Sequence, residues 1–483
     1  MDSLQLHGRR KIYTMANEIT AENVISELLM SLTIHEINVA EEEYLYWYRR
    51  GIQPILNRKK EIRSEICNKV LVNNANMIVT FKNGYFLTKP ATYVSRKEDE
   101  DTTDAVKKLN EYLYTSGKHR VDNKVVDWFH TLGVGVLFVT PSKEEEKPVS
   151  VYDLDPRSAY VVYSLNPGNE PVYGVNVVTY DKNVYIDVIT REKVFRIVGS
   201  NLEIAPTIFP PIHTLPLSLA NIEDNIIGEI NIIEYEYNSN RMGAFEGALS
   251  IMDAINNTES NRQDGIDQII QSLMILYNCD LEDGVTADEI RKAGMIKLKN
   301  VGENKADVKI ISEILDQTAT QTTLDNLYEQ MLEKCSIPSS VRDNGSTSDN
   351  VGAVYLRNGW AMADTDARNT EDHFKEANKR FDRVFLKIVE ARTGLKVGIN
   401  DFDLCIVRNQ MENIMSKTQA ALNMKELGLA PEIVLERSGI SNDPLTDIEI
   451  SQKYIDAKWG IDSESDTQKT GNYASSYFRG DRS

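Results

Sequence analysis

The stretch DNGSTSDNVGA, Asp343 to Ala353, decides how this chain is read. Its Asp, Asn and Ser side chains bond their own backbone, and glycine tolerates almost any φ, so the composition favours turns. Both flanks read as helix. Upstream, Leu324, Leu327, Tyr328, Met331, Leu332 and Cys335 form a stripe within 313–335. Downstream, Trp360, Phe374, Phe381, Val384, Phe385 and Ile388 mark the apolar side of a helix from about 353 to 393. A soft polar loop there is either slack or a working part. Its place between long helices, rather than at a domain edge, points to the second.

Working outward, Phe245 to Tyr277 reads as one long helix of roughly 50 Å. Leu249, Met252 and Ile255 share a side near its start, and Ile266, Ile269, Ile270, Leu273 and Met274 near its end. Its middle, NNTESNRQDG (256–265), is polar all round, the pattern of a helix that spans solvent or packs weakly against identical neighbours. Residues 279–312 then read as a short helix with strand-like MIKLKNV and DVKII, a small mixed domain inserted between two antiparallel helices. Its basic residues are Arg291, Lys292, Lys297, Lys299, Lys305 and Lys309. They form either a docking patch for an acidic partner or the wet side of a strand, since Ile296 and Leu298 alternate with Lys297 and Lys299.

Nearer the start, Thr20 caps a helix carrying Val24, Ile25, Leu28, Leu29 and Leu32, and EEEYLYWYRRG (41–51) reads as a second helix. Residues 68–94 begin helical, turn at KNG (82–84), and are held extended after Pro90. Helix returns over 104–132. From 133 to about 215 come short β segments, GVGVLFVT, VSVYDL, AYVVYS, VYGVNVVTY, VYIDVIT and KVFRIV, punctuated by turns such as NPGNEP. An antiparallel β block flanked by helices is an α+β fold. DFDLCIV (401–407) is strand-like, 411–458 is helical with Pro431 and Pro444 as start or break signals, and 461–483 reads as disordered. Residues 1–14 read as a short arm, with Met15 as an alternative start.

The formal net charge is −19 over 483 residues. Proteins that grip DNA phosphates carry excess Lys and Arg. This chain is either unrelated to DNA or touches it without sticking. No run approaches the ~18 apolar residues of a membrane span, and the start lacks the apolar stretch of a signal peptide. Cys67, Cys279, Cys335 and Cys405 are too scattered for zinc or a disulfide framework, so reduced thiols are expected. His7, His35, His119, His130, His213 and His373 show no metal spacing.

GVGVLF (133–138) puts Phe138 where a dinucleotide motif needs its third glycine, and reads as core strand. SGKHR (116–120) lacks the upstream glycine of a phosphate loop, leaving Lys118 as a solvated helix end. Asp153 and Asp155 in YDLDPRSAY are the one carboxylate pair that suggests magnesium-dependent nuclease chemistry. Such pairs also line strands entering turns, and no third carboxylate lies close by. The expectation is a protein that is not an enzyme and needs no metal or cofactor.

The order of parts resembles the portal proteins of tailed bacteriophages, of the kind found in long-tailed phages of Gram-positive hosts. VNNANMIVTFKNGYFLTKPATY (72–93) is similar to the family's N-terminal phrase, with Thr88 where glycine is usual. NNTESNRQDGIDQIIQSLMILYN (256–278) is similar to its first stem helix, and KTQAALNMKELGLAPEIVLERSGISNDP (417–444) to its crown. The likeness runs over most of 40–460.

The resemblance implies an N-terminal arm and helix (1–40), an α+β wing (41–244, completed by 396–410), and stem helices at 245–278 and 313–336. It further implies a clip at 279–312, a tunnel loop at 337–352, a long wing helix at 353–395, a crown at 411–460 and a disordered tail at 461–483. Twelve copies would form a ring at one capsid vertex of the virion, made in the host cytoplasm. Double-stranded DNA would pass through it during packaging and ejection, driven by a separate terminase. Capsid and scaffold proteins and a head–tail adaptor would be further partners, with no membrane. Asp343, Asn344, Ser346, Thr347, Ser348, Asp349 and Asn350 would face the DNA, and Arg291, Lys292, Lys297, Lys299 and Lys305 would dock partners at the clip.

Overall fold

A computed structural model describes residues 8–61, 64–97, 99–144, 147–181, 183–199, 216–270, 273–277, 279–281, 298–300, 307–311, 317–339, 359–408, 414–441, 447–448 and 450–452. In chain order the first elements are β1 (Ile12–Thr14), α1 (Val24–Arg49), α2 (Asn74–Phe86), β2 (Thr92–Ser95), α3 (Glu100–Ser116) and α4 (Lys118–Leu132). Then come β3 (Val134–Pro141), β4 (Val149–Leu154), β5 (Ala159–Ser164), β6 (Pro171–Tyr180), β7 (Asn183–Ile189), β8 (Lys193–Gly199), β9 (Leu217–Asp224) and β10 (Ile232–Glu236). The rest are α5 (Leu249–Ile270), β11 (Leu273–Tyr277), β12 (Cys279–Leu281), β13 (Leu298–Asn300), β14 (Asp307–Ile311), α6 (Gln317–Lys334), α7 (Trp360–Thr393), β15 (Phe402–Cys405), α8 (Ile414–Glu426) and α9 (Pro431–Ser438).

The β segments form two main sheets. One runs β1-β5-β6-β7-β8-β9, with β1 parallel to β5 and the other pairs antiparallel. Val24, Leu28 and Leu32 of α1 pack against its Val162, Val175 and Ile186. The other sheet runs β10-β3-β4, and α7 lays Phe374, Phe381 and Phe385 into the core beneath it. Burying an aromatic of that size stabilises by about 3–5 kcal/mol relative to alanine, so this face of α7 anchors the domain. β15 returns to pair with β2, the extended segment after Pro90. α4 ends at Gly133 (φ +91), where a Cβ would meet the Arg241 carbonyl oxygen at 2.1 Å, so only glycine fits.

Several expectations are corrected. α1 is one continuous helix, because Glu41 and Glu42, which resemble a surface start, are buried. The KNG stretch stays within α2. Lys82 donates to Asp366 at 2.6 Å and Asn83 to Asp127 at 2.6 Å, partners the sequence does not reveal. The helix over 104–132 is two helices, broken at Gly117 (φ +73). Lys118 is not solvated: it is 5% exposed, bonds Asp122, and lies 4.4 Å from the Phe381 ring centroid. The helix expected to reach Tyr277 ends at Ile270, and Leu273–Tyr277 is a strand paired with Asp307–Ile311. The run LMILY suits either element, and its partner strand decides. Residues 8–14 are no loose arm, since Ile12 is 2% exposed and Arg9 is buried.

Candidate functional site

α5 and α6 form a hairpin rooted in the rest of the fold. Met252 and Ile255 of α5 and Leu324 and Met331 of α6 pack with Leu45 and Tyr48 of α1 and Ile78 and Val79 of α2. Polar bonds fix the root: Tyr48 Oη donates to Asp253 at 2.8 Å and Tyr328 Oη to Asn74 at 2.7 Å.

The polar middle of α5 has a specific partner in the same chain. Residues 64–72 run alongside it as a strap. The backbone N–H groups of Asn68, Val70 and Val72 donate to Asp264 Oδ1 at 2.7 Å, Ser260 Oγ at 2.9 Å and Asn256 Oδ1 at 2.9 Å. Alternate N–H groups of an extended chain recur every ~6.7 Å, and every fourth helical residue every ~6 Å, so the two periods nearly match. A helix stripe of short polar side chains thus serves the strap as a neighbouring strand would. The ladder explains why NNTESNRQDG is polar without facing only solvent: Asn256, Ser260 and Asp264 are buried.

Asp264 is the node. Beyond Asn68 it accepts Lys60 Nζ at 3.0 Å and pairs Arg58 at 2.8 Å. Burial alone would raise its pKa. The Asn68 N–H, Lys60 and Arg58 outweigh burial and hold the carboxyl below its usual range. Asn68 also donates from Nδ2 to Asp267 at 2.7 Å.

A buried charge cluster sits where α5 begins. Arg9 donates to the Leu132 carbonyl oxygen and to Glu246 Oε1, both at 2.8 Å, and pairs with Glu41 at 3.0 Å. Glu246 accepts the Gly243 N–H at 2.8 Å. Arg241 binds both oxygens of Glu234, at 2.6 and 2.9 Å. Burial pushes the Glu42 carboxyl up to about 7, against the pull of Arg9. The N-terminal segment therefore ties the sheet, α1, α4 and the start of the hairpin together.

The outward side of the hairpin is chemically mild. Gln321, Thr322, Asp325, Asn326, Gln330 and Glu333 are exposed on α6, and Thr322 and Thr323 bond their own helix carbonyls at 2.9 Å. The bases of the described hairpin are Arg262, which donates to Gln321 at 2.9 Å, and Lys334. Such a face offers a polyanion hydration but no strong hold.

The sequence-derived residues fare unevenly. Asp343, Asn344, Ser346, Thr347, Ser348, Asp349 and Asn350 lie outside the described residues, as do Arg291, Lys292, Lys297 and Lys305. Lys299 is in β13, paired with Asp280 of β12. Asp153 and Asp155 do not converge on a metal: Asp153 accepts Lys124 at 2.8 Å, while Asp155 caps a turn and takes Arg157 Nη2 at 2.7 Å. Among the described residues no cluster of His, Cys, Asp or Glu could hold a metal ion, and no helix is long and apolar enough to cross a membrane. The strap was missed, although Asn256, Ser260 and Asp264 at four-residue spacing were its visible trace.

The model of one protein family, phage portal proteins that are SPP1 Gp6-like, matches residues 33–454. No curated protein matches the chain.

Proposed function

This chain belongs to the SPP1 Gp6-like family of phage portal proteins, and we propose that its α5–α6 hairpin is the stem that borders the DNA passage. A portal is a structural component of the phage capsid and acts as its DNA channel. The nuclease alternative has no support, since Asp153 and Asp155 are each engaged by a separate cation.

The observation that carries the stem reading is the exposed face of α6, made of amides, hydroxyls and carboxylates on a chain of net charge −19. Repeated around a closed ring of about twelve copies, such faces repel phosphates weakly from every side, and a duplex slides instead of lodging. Residues 343–350 act as the small polar loop next to the passing duplex. The basic residues between 291 and 305 dock the terminase or the head–tail adaptor, and 411–460 form the crown.

Negative-stain imaging with mass measurement of the purified full chain tests this reading. Rings with a central hole wide enough for duplex DNA are expected. A chain that stays monomeric or dimeric at every concentration, alone or with capsid and scaffold proteins, overturns it.

A further inference from the structure

We propose that the cleft where α1, α2 and α4 meet receives the next copy of this chain, a head-to-tail contact repeated around the ring; this rests on the portal reading above. The cleft encloses about 690 Å3 and is walled by Tyr46, Trp47, Arg50, Asn76 and Trp128. Its aromatic wall is pre-ordered. Trp47 stands edge-on to Tyr46, with centroids 5.2 Å apart, and Tyr46 stacks on Trp128 at 6.0 Å. Trp47 is nevertheless 38% exposed.

Arg50 holds its guanidinium 4.3 Å over the Tyr46 ring. Among the described residues no carboxylate pairs with it. Arg49, beside it, is already satisfied by Asp127 and Thr131. Rigid aromatic rings beside an unpaired arginine, open to water, are the usual centre of a protein–protein contact.

Two arguments choose the occupant. A ring of identical chains needs two unlike, complementary patches on every copy. A chain of net charge −19 offers mostly acidic surface to a neighbour's Arg50. Duplex DNA fits worse, because Arg49 is taken up by Asp127 and Arg50 alone is left, with no run of cations among the described residues of the wall to follow a phosphate backbone.

The test is mass measurement of the full chain against concentration. Arg50→Glu and Trp47→Ala should each raise the concentration for half-assembly by about thirtyfold, with the thermal midpoint unchanged. Trp47→p-benzoylphenylalanine, irradiated in the ring, should give a covalent ladder of multimers. Wild-type rings with variants that assemble equally well overturn the cleft and leave the portal reading standing. So does cross-linking to added duplex DNA in place of protein. A wild-type chain that never closes overturns both.

Discussion

Asp264 Oδ1 accepts the backbone N–H of Asn68 at 2.7 Å across 196 positions of sequence. That bond joins the middle of α5 to a strap from far earlier in the chain. Motion of the α5–α6 hairpin therefore has to pull on the strap or break the ladder.

Asp264→Ala removes the acceptor shared by Asn68, Lys60 and Arg58. Denaturant unfolding should show a loss of about 2–3 kcal/mol, the cost of orphaning partly buried partners. Hydrogen exchange at Asn68, Val70 and Val72 should accelerate well beyond the global change. Unchanged protection of those amides would show that the strap is held by something else.

Arg9→Met leaves Glu246 buried without its cation and Glu41 with Arg10 alone, and removal of residues 1–14 strips Glu41 of both arginines. A destabilisation of about 3–5 kcal/mol is expected by denaturant titration. A truncated chain as stable as the full one would contradict the burial of Arg9.

Lys118→Met should cost a similar amount, because the buried Asp122 carboxyl loses its cation. Lys118→Met with Asp122→Leu should recover most of it. Strict additivity of the two single losses would argue against the pair.

Burial raises the carboxyls of Glu42 and Asp382 from 4.5 and 3.8 to about 7. Native protein then keeps protons that the unfolded chain releases. This contribution is complete below about pH 4 and is lost as pH rises through 7, on the order of 3 kcal/mol per group. Glu42→Gln and Asp382→Asn should gain on the wild type between pH 5 and pH 8. Parallel stability curves over that range would refute the raised values.

Thr322→Lys with Asn326→Lys places two cations on the mild face of α6. Rings of this variant should retain duplex DNA with a steeper salt dependence than wild type and package it more slowly. Identical retention would mean that this face does not meet the DNA.

The sequence alone determined the class of this protein. Helical stripes such as Phe374, Phe381 and Phe385, the β segments over 133–199 and the acid excess are properties of neighbouring residues and of composition, so they need no folded context. Tertiary structure decided what each polar residue is for. Lys118 read as a surface charge and is buried against Asp122, NNTESNRQDG read as facing solvent or identical neighbours and carries the strap, and LMILY became a strand because Asp307–Ile311 lies beside it. The physical reason is the same each time. Whether a charge or an amide is wet or buried depends on partners that folding brings from far along the chain, and local pattern holds no record of them.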